Sequence, residues 1–376
     1  MNHWKILIVG SGPAGSATAL ALAQQSPTLV RETLILEKAI HPRPKLCGGG
    51  VTSLADEQLR ALGVWPEIPE FPIYRLRMQI EGGGVELRSS ERPIFRVIDR
   101  RLLDHALARA AVERGATIHE GEAVKQVELR DDGVRVTTEQ GHYEAAALVA
   151  ADGAKSVVRR QLLPQDESRI SRLMEILTPE PPDHPLFNDH CAIFDYNGVV
   201  AGVQGYSWDF PSIRDGKTVM NRGIFDSRIA TKAPRADLRR AFDDFLPPDR
   251  PLERYKLMGH PERWYHPRTT LHLPRVLFTG ESAGIDPFAG EGIAFALAYG
   301  QRAAETLLQA FEQNNFSFDD YPQRIHSTIG RNLNRRRLFA ALFYRLRSPL
   351  IWRITFRLIT PPLRLTLPDH ISISPI

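Results

Sequence analysis

The stretch KILIVGSGPAGSATALALAQ, residues 5 to 24, constrains the fold more than any other part of the chain. An apolar run ends in a glycine turn and passes directly into an alanine- and leucine-rich segment, which reads as strand, loop and helix. Gly10, Gly12 and Gly15 carry GxGxxG spacing. Small residues at those positions let the backbone approach a pyrophosphate at the positive end of a helix. TLILEK, 33 to 38, supplies a second strand ending in Glu37, where a carboxylate accepts hydrogen bonds from a ribose. The pattern predicts a β-α-β unit for a dinucleotide. A tight turn without a ligand is the plainer alternative.

A chain of 376 residues has room for two domains. Its 43% hydrophobic and 24% charged residues fit a folded, water-soluble protein. Two cysteines, Cys47 and Cys191, exclude a disulfide framework, and without a CxxC or Cys/His cluster no metal site is expected. The first residues reach a glycine too early for a signal peptide, and no run of about 18 apolar residues suggests a membrane span. A reducing, cytoplasmic setting is the expectation.

Residues 75 to 98 alternate polar and apolar around EGGGV, as antiparallel strands with a turn do. RRLLDHALARAAVERG has helical spacing and stops at a glycine. Residues 170 to 275, rich in proline, aspartate and aromatics, predict an antiparallel sheet inserted as a second domain. RVLFTGESAGIDPFAGEGIAFALAYG then returns to strand, glycine loop and helix, with Pro287, Gly290 and Gly292 just before the helix start. Such a loop can lie against a planar ring and aim N–H groups at it.

GSGPAG with Glu37, RRLLD with Arg100, ADGAKSVVR with Asp152, and GESAGIDPFAGEGI resemble, in that order, the FAD-binding fold of the para-hydroxybenzoate hydroxylase type. The resemblance implies an α/β (mixed α+β) architecture. A Rossmann-type FAD-binding domain would comprise 1–70, 96–165 and 274–312, and an antiparallel-sheet substrate domain 71–95 and 166–273. A basic helical segment, 313–376, would follow. The resemblance also implies FAD held by Gly10, Gly12, Pro13, Ala14 and Gly15 at the first helix, by Glu37 and Lys38 near the ribose, and by Arg100 at the phosphates. Val124, Asp152 and Gly153 would add contacts. Gly280, Glu281, Pro287, Gly290, Gly292 and Ile293 would hold the flavin end. One position departs, since the family has Gly-Asp where this chain has Gly280-Glu281. The longer side chain moves the carboxylate by about 1.5 Å, one carbon-carbon bond.

Within that superfamily, PKLCGGG (Pro44, Cys47, Gly48, Gly49) and YSWDFP (Tyr206, Trp208, Phe210, Pro211) resemble the geranylgeranyl reductase family, which reduces isoprenoid double bonds with FAD. The resemblance implies that Cys47 faces the flavin and that the aromatic segment lines a substrate cavity. Three consecutive glycines remove every Cβ that would keep an alkene from the ring. Tyr206, Trp208 and Phe210 alternate at strand period, so they share one face. A buried free cysteine and an aromatic strand face are also ordinary packing features. An isolated alkene accepts hydride poorly, so a proton must accompany it; Cys47, Tyr206 and an ordered water are the candidate donors. The expected activity is saturation of a prenyl chain, with NADPH or a ferredoxin as electron donor. The rivals are an FAD monooxygenase of the same fold and a flavoprotein that binds an isoprenoid without turnover.

Residues 331 to 364 hold nine arginines with no lysine, aspartate or glutamate, interleaved with large apolar residues. SPLIWRITFRLITPP predicts a helix with Arg353 and Arg357 on one face and a stop at the double proline. Such a helix suits a membrane interface, with arginines toward anionic headgroups; packing on the protein is the alternative. No recognition motif accompanies the charge, so nucleic acid is not an expected partner. The expected location is cytoplasmic, peripheral on the inner face of the membrane.

Overall fold

The structure, a computed structural model, describes residues 2–167 and 169–376, without the side chains of Asn2, Ile359, Leu363, Leu365 and Thr366. Its first sheet is built on the strand Asn2–Val9, which pairs in parallel with Thr33–Glu37 on one side and His142–Ala150 on the other. Central parallel strands are covered on both faces and therefore need apolar residues at every position, which is why KILIV and TLILE read as runs. Val276–Phe278 and His272–Leu273 extend this sheet on one side, and Thr117–Glu120 on the other. A hairpin, Gln126–Leu129 with Val134–Thr137, attaches antiparallel to His142–Ala150 and makes the sheet mixed.

The helix Pro13–Gln25 leaves the first strand through the glycine loop and packs against the long helix Ile293–Gln313. Small residues make that seam. A Cβ at Gly300 would stand 2.5 Å from the Ala14 carbonyl oxygen and 2.6 Å from Ala17 Cβ. One at Gly15 would stand 1.9 Å from the Gly10 oxygen, so this glycine lets the helix start close against its own strand.

The second sheet has eight strands, in the order Met258–Arg263, Ile170–Pro179, Lys217–Asp226, Gly205–Arg214, Cys191–Asp195, Arg75–Ile80, Gly83–Ser89, Ile371–Pro375. It departs from the antiparallel expectation at one pair, Cys191–Asp195 with Arg75–Ile80, which runs parallel. Residues 81–190 separate these strands, and so long a crossover permits a parallel neighbour. Register aligns Glu175, Gly223, Trp208, Phe194, Met78 and Val85 in a row across the sheet, all on one face. The opposite face carries a buried ion network in which Arg222 reaches Asp209 at 2.7 Å and Glu180 at 3.1 Å.

The basic tail differs from its expectation in two ways. The helix Pro349–Thr366 runs through Pro361 and Pro362 instead of stopping there. Each proline forfeits a backbone hydrogen bond. Arg364 Nε, donating to the Ile373 carbonyl at 3.0 Å, ties the last turn to the body. The segment also ends in a strand rather than a helix, and that strand, Ile371–Pro375, closes the edge of the second sheet beside Gly83–Ser89. Trp352 and Phe356 face inward, Trp352 stacking on Tyr196 at 4.7 Å between centroids.

The Gly300 seam makes a testable demand. Gly300→Val forces the two helices apart and should cost about 1–3 kcal/mol or more, as overpacked cores do. A urea midpoint equal to that of the parent would contradict this reading of the seam.

Candidate active site

The first glycine loop holds two kinds of glycine. Gly10 has φ +98°, and a Cβ there would meet the Ala151 carbonyl oxygen at 2.5 Å, so internal packing alone requires it. Gly12 is different. Its Cβ would meet only Arg43 Nη2, at 3.6 Å, so the protein's own packing leaves a space above this peptide. Arg43 thus puts its guanidinium beside that space, with Nε 3.5 Å from Glu37 and Nη2 3.3 Å from Asp104. The arrangement suits a pyrophosphate.

Glu37 is buried at the end of its strand. Its carboxylate accepts from the Ser11 N–H at 2.9 Å, the Ser11 hydroxyl at 2.8 Å and the Ala39 N–H at 3.1 Å, and lies 3.5 Å from Arg43 Nε. Burial by itself would raise this carboxyl; Arg43 and the Ser11 donors outweigh it and hold it below the usual carboxylate range. An ionised acid at the end of the second strand is what a ribose diol needs. Arg43 also reaches Asp104 at 3.3 Å, and Asp104 accepts from Arg100 at 2.8 Å. Arg100 is therefore buried as one member of an ion cluster one helical turn long.

The loop carrying Cys47 is gripped by the second sheet. The Cys47 N–H donates to Glu175 Oε2 at 2.9 Å, and its carbonyl accepts from Asn221 Nδ2 at 2.9 Å. Asn221 in turn accepts from Trp208 Nε1 at 3.0 Å. A Cβ at Gly48 would stand 3.0 Å from the Phe210 ring, and Gly49, at φ +77°, lies against the Ile98 carbonyl. The glycines are thus demanded by close packing on the aromatic strand and on Ile98, a physical reason different from the open access the sequence suggests. The Cys47 thiol is pushed up by burial, although the nearby Arg100 guanidinium pulls the other way. Cys191 is fully buried in the core.

Tyr206, Trp208 and Phe210 do share a face, their ring centroids successively 6.2 and 6.1 Å apart, while Pro211 lies opposite Met220 in the ladder. The Tyr206 hydroxyl donates to the Ala289 carbonyl at 2.5 Å, which ties the aromatic strand to the C-terminal glycine loop. That loop is held from three further directions. Asp286 accepts from the Phe288 and Ala289 N–H groups and from Arg336 at 2.7 Å, Arg336 also reaches Glu291 at 2.7 Å, and the Tyr344 hydroxyl donates to the Phe288 carbonyl. Pro287, Gly290, Gly292 and Ile293 follow this path to the start of the long helix.

Glu281 has three neighbours within the protein itself. Its carboxylate meets Lys45 at 3.3 Å and the Ala154 N–H at 3.2 Å, and lies 3.5 Å from His260 Nε2. Burial would raise it, but Lys45 and His260 hold it far below the usual range. Burial also lowers His260, whose Nε2 lies 2.8 Å from Lys45 Nζ. Other expected contacts are placed as follows. Asp152 accepts from the Val157 and Val158 N–H groups and starts the helix Val157–Leu162, with Gly153 at φ +78° in the turn before it. Gly280 packs on Ala14, Val124 belongs to the core of the first sheet, and Lys38 is exposed at its edge. Sequence reading missed Arg43, Asp104, Lys45, Glu175, Asn221, His260, Asp286 and Arg336. Only Asp104, four residues after Arg100 on one helix, carried a local signal.

The family described as FAD binding domain matches residues 3–211 of the chain. A menaquinone reductase of Mycobacterium tuberculosis is 29% identical over 332 residues, 80% of this chain and 76% of that protein. A digeranylgeranylglycerophospholipid reductase of Methanopyrus kandleri is 27% identical over 347 residues, 84% of this chain and 83% of that protein. Among solved structures, a geranylgeranyl bacteriochlorophyll reductase-like protein of Thermoplasma acidophilum superposes with a TM-score of 0.78 at 22% identity, covering 96% of this chain and 92% of that one, which is a likeness of fold. With more than half its length matched, the chain belongs to the FAD-binding domain family and is an FAD-dependent oxidoreductase.

Proposed function

We propose that the protein saturates carbon-carbon double bonds of a prenyl chain carried by a lipid or quinone. The observation that carries the reading is the seat of the Cys47-Gly48-Gly49 loop on Trp208 and Phe210, fixed through Glu175 and Asn221. A hydroxylase of the same fold has no need to hold a cysteine loop against an aromatic strand. Gly12, Glu37, Arg43 and Arg100 are the groups to hold the adenosine diphosphate half of FAD, and the loop from Asp286 to Gly292 the isoalloxazine end. Bound and reduced, FAD supplies a hydride. The chain orients the alkene on its aromatic wall, keeps water out and provides the matching proton. NADPH or a ferredoxin is the electron donor of this reading.

Membrane contact belongs to the same proposal. Leu350, Ile351, Ile354 and Leu358 are exposed on the helix Pro349–Thr366, on the side away from buried Trp352 and Phe356. Leu338, Phe339 and Leu342 are exposed on the helix Arg331–Phe343. Arg331, Arg335, Arg345, Arg347 and Arg357 are exposed around them, and residues 331–364 contain no acid. An apolar stripe with a cationic border is the composition of an interfacial helix. Among the described residues no helix is long and apolar enough to cross a membrane.

Three measurements test this reading. Anaerobically reduced protein offered geranylgeranyl diphosphate should return to oxidised flavin as product gains two hydrogens per turn, slowly or not at all in Cys47→Ala. Reoxidation by oxygen alone, with every prenyl substrate inert, would favour the monooxygenase, and no turnover under either condition the binding protein. Glu37→Gln removes a buried charged acceptor worth roughly 1.5–3 kcal/mol, so FAD should bind about 10- to 100-fold more weakly. An unchanged flavin titration would remove Glu37 from the cofactor site. Finally, the protein should co-sediment with anionic but not zwitterionic vesicles, and Ile354→Glu with Leu358→Glu should abolish this without changing flavin content.

A further inference from the structure

The proton that must accompany the hydride has no satisfactory source among the residues the sequence singles out. Tyr206 already gives its single hydroxyl proton to the Ala289 carbonyl, and burial pushes its phenol well above the ordinary value. The Cys47 thiol accepts from the Gly49 N–H at 3.4 Å and is also pushed up, which makes it a weaker acid than a free cysteine. Lys45 is committed to His260 and Glu281.

A third acid meets the same loop. Glu175 lies in the middle of the strand Ile170–Pro179 with 1% of its surface exposed, on the sheet face that carries Trp208. Gly223 stands between the two in the register. A Cβ at Gly223 would fall 2.1 Å from the Trp208 ring, so the glycine is what lets the indole lie over that strand toward Glu175. One Glu175 oxygen takes the Cys47 N–H. A neutral carboxylic acid in that position still has its own O–H to give.

Resting on the reductase reading above, we propose that Glu175 is the proton donor of the reaction. One alkene carbon receives the hydride of reduced FAD, which loses two electrons. The other carbon forms its new C–H bond with the Glu175 proton. The carboxylate left behind faces Arg100 and Arg214, with the Asn221 amide and Cys47 N–H beside it, and regains its proton from water. The groups around it are arranged for both states. Burial keeps the acid protonated, raising it to about 8, while the Cys47 N–H, Arg214, Asn221 and Arg100 favour the anion that donation creates. On the adjoining edge strand Met258 lies opposite Glu175, with His260 two residues further on.

Because the protonated form is active, the single-turnover rate of flavin reoxidation by geranylgeranyl diphosphate should be flat below about pH 8 and fall about tenfold per unit above it. Glu175→Gln keeps an acceptor for the Cys47 N–H but has no acid proton. It should lose at least about 100-fold in that rate, and lose the inflection, at unchanged FAD affinity. In the oxidised holoenzyme, infrared spectra should contain a protonated-carboxyl band that titrates over the same range and is missing from Glu175→Gln. Parental rate and pH profile in Glu175→Gln would overturn the proposal, as would an inflection that disappears in Cys47→Ala instead. If the parent protein itself shows no prenyl-dependent reoxidation, the reductase reading fails; the carboxyl band then tests separately whether Glu175 is a neutral acid.

Discussion

Everything else in this protein depends on how closely the first strand-to-helix turn can be approached. Ala14 sits at the centre of that constraint. A Cβ at Gly300 would collide with its carbonyl oxygen, and one at Gly280 would stand 2.8 Å from its Cβ. The segments that carry Gly280 and Gly300 therefore converge on one helix turn because neither has a side chain at the contact. The result is a shallow, backbone-lined floor, and on it Gly12 is the glycine that the packing does not explain. Open space above one peptide, beside the half-buried guanidinium of Arg43, is how a pyrophosphate site looks from the protein's side.

A second constraint joins this floor to the sheet that faces it. The two are linked by short polar contacts to backbone atoms rather than by a continuous apolar interface. Glu175 and Asn221 hold both polar atoms of Cys47, and Tyr206 and Tyr344 each hold a carbonyl of the loop from Asp286 to Gly292. Hydrogen bonds to backbone fix position without filling volume. The C-terminal helices have two tasks. Arg336 and Tyr344 brace the glycine loop, while neighbouring residues of the same helices turn Leu338, Phe339 and Leu342 to solvent.

Charge is distributed to match. Glu37 is held ionised by Arg43 and Ser11, and Glu281 by Lys45 and His260. In the second sheet the balance reverses at Glu175, where burial outweighs its donors and raises the acid. Burial outweighs the surrounding donors at Glu175 and is outweighed by them at Glu37 and Glu281, so one fold holds both a neutral carboxyl and ionised ones.

What could be read without coordinates came from local rules. Strand, glycine loop and helix follow from periodicity and from the backbone freedom of glycine, and an alternating aromatic strand must present one face. Those rules were enough for the cofactor fold. They failed where a contact is made by residues with no common neighbourhood. Glu175, Asn221 and His260 lie on three different strands, and only the register of the second sheet brings the first two to Cys47. They failed at Pro361 and Pro362 because a helix stop is a local expectation, whereas the Arg364 contact that anchors the last turn is tertiary. The sequence by itself determined which segments form strands and helices and which of their faces turn inward, since those depend on spacing along the chain. Only the tertiary structure decided which acid meets which donor, because protonation is set by burial and charge that distant strands contribute together.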